Sequence, residues 1–173
     1  MIILYVILGL IALFLIYVAS RPAEFTLERS RTINAPASKI YPLIGDFRNW
    51  EKWSPWLEME PDAKLTYGNT TSGVGGTYRW DGKKTGSGSA TCVEETPPTM
   101  FRISLAFEKP MKAVNDVVYC LSENANGTTV KWSMSGSNNF MGKLFAVIFS
   151  LEKMVGPQFD RGLELLDKAV QES

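Results

Sequence analysis

Six strand-length segments follow one another between Lys64 and Gly136, and a long helical pattern begins only after the last of them. Strands in unbroken succession pair with their neighbours through short turns. The sheet is therefore expected to be antiparallel, with the helix on one face of it. The segments are 64–67, 76–81, 86–95, 100–107, 114–123 and 128–136. Alternation is clean in 100–107, where Phe101, Ile103, Leu105 and Phe107 share one face and Arg102, Ser104 and Ala106 the other. Asn126-Gly127 supplies the positive φ angles of a hairpin turn before the last strand. A further strand pattern, 24–33, comes first, setting Phe25, Leu27 and Arg29 against Thr26, Glu28 and Ser30. Between it and the six lie two short helices. Pro36 suits the first turn of one, which Pro42 and Gly45 keep short, and Asp46 can cap the other through Phe47, Trp50 and Trp53.

The closing helix places Leu144, Val147/Ile148, Leu151 and Val155 at helical spacing from Phe140, then Phe159, Leu163, Leu166 and Val170. Gly156-Pro157 is expected to kink or split it. Its first half is apolar around much of its circumference, with Lys143, Glu152 and Lys153 its only charges. Such a helix calls for burial under a sheet or against a membrane surface, and burial under the sheet is the expectation. The fold class is α+β: a curved antiparallel sheet of about seven strands wrapped on a long C-terminal helix, spanning residues 21–173.

Residues 1–20, MIILYVILGLIALFLIYVAS, carry no charged side chain. About eighteen apolar residues in helix span roughly 27 Å, close to a bilayer's hydrocarbon thickness. A buried core helix would show a polar face, which is missing. A signal peptide needs a basic start and a small-residue cleavage site; nothing basic follows Met1, and Val18-Ala19-Ser20 is a weak site. A single-pass transmembrane anchor fits best, with Tyr5 and Tyr17 near its two ends. Arg21, Arg29, Arg31 and Lys39 follow it, so the positive-inside rule puts the C-terminal domain in the cytoplasm.

Composition excludes several chemistries. The chain has no histidine, which removes His-based nucleophile pairs, His-ligated metals and His-driven pH switching. Eighteen basic residues balance eighteen acidic ones, which gives no reason to expect nucleic acid. Gly73-x-Gly75-Gly76 lacks the lysine and strand-to-helix setting of a phosphate loop. No metal or cofactor is expected. Two cysteines make no disulfide framework. Alternation points Cys92 inward and Cys120 outward on strands separated by a third, so they should not pair. Asn69-Thr70-Thr71 and Asn126-Gly127-Thr128 match the glycosylation tripeptide, which matters only in a secreted domain.

The segment Phe47-x-x-Trp50-x-x-Trp53-Ser54-Pro55-Trp56 resembles a signature of one branch of the SRPBCC superfamily, the START-like helix-grip proteins that include the polyketide cyclase/dehydrase group. Arg31-x-Ile33-x-Ala35-Pro36, Gly73-Val74-Gly75, Gly127-Thr128-x-Val130-x-Trp132 and Met154-x-Gly156-Pro157 follow in matching order. The resemblance covers about residues 24–170. It implies a helix-grip fold with a mostly apolar cavity between sheet and helix, and so a hydrophobic small molecule or lipid as ligand. Members differ widely in function, so it implies no particular reaction.

Strand alternation proposes the cavity lining: Tyr78, Trp80, Ile103, Leu105, Phe107, Tyr119, Leu121, Trp132 and Met134 from the sheet, with Leu144 and Ile148 facing them from the helix. Most must simply pack. The Tyr and Trp polar atoms among them need partners, which protein, water or ligand can supply. Trp50, Trp53 and Trp56 would form a lid, an interfacial anchor or a satellite core, with packing favoured. No catalytic residue is assigned. Arg102 and Asp116 point outward as a cross-strand ion pair, and Asn115 faces inward alone. Three functions follow: a membrane-anchored binding or carrier protein for a hydrophobic ligand, a cyclase/dehydratase-type enzyme, and a non-catalytic interaction module at the membrane. The first is preferred.

Overall fold

The computed structural model describes residues 1–173. The first helix, α1 (Ile2–Ser20), leads through three residues into β1 (Glu24–Ile33). Then come α2 (Ala37–Gly45), a 3₁₀ segment (Phe47–Lys52) and α3 (Pro55–Met59). Asp46 caps the 3₁₀ segment, its carboxylate accepting from the Arg48 N–H at 3.0 Å. Six strands follow: β2 (Lys64–Tyr67), β3 (Thr77–Asp81), β4 (Ser87–Thr96), β5 (Met100–Lys109), β6 (Ala113–Asn124) and β7 (Gly127–Ser137). The chain closes with α4 (Phe140–Ile148) and α5 (Leu151–Glu172).

One seven-stranded antiparallel sheet runs in the order β1-β7-β6-β5-β4-β3-β2. Each of the later strands pairs with its successor, as expected of hairpins. β1 crosses to the far edge and pairs with β7 from Glu24↔Ser137 to Ile33↔Thr128. Register shifts in β4, at Ser87/Gly88 and Cys92/Glu94, are bulges of the kind that bend a sheet. Alternation held where it was clean. Phe101 and Ile103 are buried and Arg102 is exposed, with its Nε donating to Asp116 at 2.8 Å. Cys92 is buried, Cys120 half-buried, and β5 lies between their strands; both are free thiols.

The core fills the concave face, with α5 laid across it. Phe159, Leu163, Leu166 and Val170 are all buried there. Each contributes about 1.5–3 kcal/mol by leaving water. Ion pairs along one side hold the helix to β1: Arg29 to Glu152 and to Asp160, and Arg31 to Asp167. Gly162 brings the helix close. A Cβ there would sit 2.7 Å from the Trp132 ring and 3.1 Å from Pro55.

Two expectations for the closing helix are corrected. It divides at Phe149–Ser150, not at Gly156-Pro157. Phe149 is extended, and the Ser150 side chain accepts from the Lys153 N–H to start a new helix. Pro157 sits inside α5, forgoing one bond to the Lys153 carbonyl. The buried stripe from Phe159 onward carries the helix through. Nor is the apolar first half buried under the sheet: α4 contains no buried residue and packs against the end of α1.

Candidate functional site

The cavity lies between the sheet and α5, and the short helices shape one wall. Trp50 and Trp53 fix that wall. Their indole N–H groups donate to the carbonyls of Ile44 at 2.8 Å and Leu43 at 2.7 Å. From the sheet come Tyr78 and Trp80 on β3, Ile103, Leu105 and Phe107 on β5, Val117 and Tyr119 on β6, and Trp132 and Met134 on β7. Phe159 faces them from α5 and stacks on Trp132, ring centroids 4.1 Å apart. Trp56 meets both rings edge-on.

Eight of the expected lining residues therefore come together: Tyr78, Trp80, Ile103, Leu105, Phe107, Tyr119, Trp132 and Met134. Three do not. Leu121 is buried but belongs to the core at the other end of β6, opposite Val130. Leu144 and Ile148 lie on α4, which turns away from the sheet, and Ile148 is 59% exposed. The reason is the helix break. The residue across from Trp132 is Phe159, which continues the Leu163–Leu166–Val170 stripe. That stripe was visible in the sequence, but the segment before the break was placed on the cavity instead. Leu57 on α3 and Ala63 in the turn before β2 also line the site and were marked by no pattern, while Trp56, also on α3, takes the place over the cavity that a lid would have.

The space inside measures about 80 Å³. Ligand pockets of drug-sized molecules run to about 300–1,000 Å³. Aromatic rings occupy the difference: Trp50, Trp53, Tyr119 and Trp132 pack with centroids 5.0–6.1 Å apart, three of the pairs edge to face and two tilted. The deep lining is buried, whereas Trp80, Leu105, Phe107, Leu57 and Thr85 are partly exposed. The mouth thus lies where β3 and β5 end and β4 begins. By register this is also the end where β1 begins, just after α1.

Polar satisfaction divides the site. The Tyr119 hydroxyl and the Trp132 indole N–H are buried and have no hydrogen-bond partner. The Tyr78 hydroxyl, on the same wall, donates to no protein atom. Burial pushes the Tyr78 phenol well above its usual value, and burial with the neighbouring Tyr78 does the same for Tyr119. Both stay protonated at neutral pH and serve as donors. The lining contains no carboxylate, amine, guanidinium or thiol. At the rim, Glu60 is a residue that no sequence pattern singled out. Its carboxylate accepts from the backbone N–H groups of Lys83, Lys84 and Thr85 and from the Thr85 hydroxyl, at 2.6–3.0 Å. Those bonds, the Thr85 backbone bond foremost, lower its pKa to about 2. Glu60 thereby fastens the β3–β4 hairpin, one lip of the mouth, to the end of α3.

A family model described as polyketide cyclase / dehydrase and lipid transport matches residues 24–171. The chain belongs to that family. The polyketide cyclase/dehydrase match starts at the first residue of β1 and takes in the whole sheet and α5. Solved structures of similar fold include the following three. Protein CV1439 from Chromobacterium violaceum has a TM-score of 0.63 at 16% identity, covering 84% of this chain and 96% of that one. The Aha1 dimer from Colwellia psychrerythraea has a TM-score of 0.61 at 16% identity, covering 84% and 96%. The di-domain ARO/CYC StfQ of the steffimycin biosynthetic pathway has a TM-score of 0.65 at 9% identity, covering 87% of this chain and 52% of that one. At these identities the likeness carries the fold alone. No curated protein sequence matches the chain. Helix α1 is long and apolar enough to cross a membrane.

Proposed function

We propose that this polyketide cyclase/dehydrase family member is a membrane-anchored binding or carrier protein for a small hydrophobic ligand bearing a polar group. Residues 1–20 are the single-pass anchor, and residues 21–173 are the binding domain on the cytoplasmic side. The carrying observation is the pair of buried, partnerless donors, Tyr119 Oη and Trp132 Nε1, in a mostly apolar lining. An unsatisfied buried polar group costs about 1–3 kcal/mol. A ligand oxygen among these groups would remove that cost. The ligand enters by displacing the half-exposed side chains of the mouth, chiefly Trp80, Leu105 and Phe107, because the resting space is small. The lack of any titratable group of near-neutral pKa in the lining favours binding over acid–base turnover.

Native mass spectrometry of the full chain, purified from its host in mild detergent, tests this. The expected result is a one-to-one adduct of an apolar, oxygen-bearing molecule, weakened in Tyr119→Phe. The bare chain mass alone, in folded protein, would overturn the reading.

A further inference from the structure

Helix α4 has one covered face and one bare face. Lys143, Ala146 and Val147 border a groove shared with Tyr17, Arg21 and Phe25, and Lys143 Nζ donates to the Ala19 carbonyl at 3.1 Å. Met141, Phe145 and Ile148 follow at i, i+4 and i+7 on the other face, exposed by 59%, 38% and 59%. Phe140 and Phe149 extend the stripe at its ends, and both are exposed. Phe145 and Phe149 pack against each other, ring centroids 4.8 Å apart, and not on the core. No protein group covers this surface.

The neighbour of α4 indicates what does. It packs against the last turns of α1, where Val18 is fully buried while the rest of α1 is bare. If α1 spans a bilayer, as proposed above, its last turn marks the bilayer surface on the domain side. The apolar stripe of α4 then lies at the same level. Cations stand nearby for lipid headgroups: Arg21 after the anchor, Lys143 on α4, Lys109 at the end of β5 and Lys112 in the turn to β6, at the same end of the sheet. An apolar stripe beside cations is the pattern of a helix lying in the membrane interface.

We propose that α4 is an interfacial helix, its Met141, Phe145 and Ile148 side chains set among acyl chains beside α1. The break at Phe149–Ser150 then has a purpose. It turns the first half of the closing helix into the leaflet, and it leaves the mouth, at the α1 end of the sheet, facing the bilayer. A ligand passes between leaflet and cavity without crossing bulk water.

Spin-label accessibility in the full chain tests this, in vesicles of mixed phosphatidylcholine and phosphatidylglycerol. Cys120→Ser removes the accessible thiol, and the buried Cys92 stays. Nitroxides go on Phe145→Cys and Ile148→Cys, with Leu10→Cys in the anchor and Asn126→Cys at the far hairpin as references. Thermal melting checks each variant's fold. At 145 and 148, oxygen is expected to relax the label more than a water-soluble nickel chelate does, as at 10 and opposite to 126. Chelate access at 145 and 148 equal to that at 126, with position 10 embedded, would overturn the interfacial helix and leave the anchor standing. Labels at 145 and 148 reached by neither reagent would mean that protein covers the face, which also overturns it. An aqueous position 10 would overturn the anchor, and this inference with it.

Discussion

Trp53 and Trp132 touch, with ring centroids 5.7 Å apart, yet they stand in opposite chemical situations. Both are almost fully buried. Trp53 donates its indole N–H to Leu43 and belongs to a wall in which both indole N–H groups are used. Trp132, with its cross-strand partner Tyr119, carries a polar atom with nothing to bond. The difference follows from origin. The wall is local: Trp50 and Trp53 reach carbonyls within ten residues of themselves, at the end of α2. The sheet face is assembled from strands whose own backbone groups are committed to ladders, so Tyr119 and Trp132, at its middle, find no free carbonyl, whereas Trp80 near the mouth reaches the Thr85 carbonyl of the β3–β4 hairpin. In this chain the first wall is rigid, fixed by its own hydrogen bonds, and the second is not.

Breaking the rigid wall should cost most. Trp53→Ala removes a ring that contacts Trp50, Tyr119 and Trp132, and should lower unfolding free energy by about 3–5 kcal/mol in denaturant titrations. A loss under a kilocalorie would show that the wall is not rigid. An intermediate effect is expected at the lip. Glu60 has its pKa lowered in the folded state, so its contribution is present above the ordinary carboxylate range and fades as pH falls toward about 2. Glu60→Gln should therefore reduce the melting temperature at neutral pH, with the gap to wild type closing in acid. A gap that persists unchanged to low pH would remove the carboxylate charge from the account. The smallest effect should have the opposite sign. Tyr119→Phe deletes a partnerless hydroxyl, so the ligand-free chain should be unchanged or stabilised by up to about 1 kcal/mol. Clear destabilisation would mean that the hydroxyl is satisfied, and the contrast between the walls would go.

The strands were legible because alternation and turn residues act within a few positions. The Asp46 cap and the inward sense of Cys92 were legible for the same reason. The two corrections concern information that is not local. A helix segment apolar on most sides, such as 140–149, does not reveal which surface it will meet, and Leu144 and Ile148 were misplaced on that account. Pro157 looked like the break, but the stripe beyond it outweighs one missing hydrogen bond, while Ser150 offered only an ordinary cap. Cavity size was out of reach because it depends on how Trp50, Trp53, Trp132 and Phe159 interlock across three elements. Glu60 was silent because its partners are brought to it by the β3–β4 hairpin.

Only Arg21, Pro22 and Ala23 separate α1 from β1. Fully extended, three residues reach about 10 Å. If α1 spans a bilayer, as proposed, so short a tether denies the domain the third dimension. Its encounters are confined to a thin layer over one leaflet, where a partner or ligand is met by lateral drift. A lengthened linker here would change which molecules the mouth can find without altering one atom of the cavity.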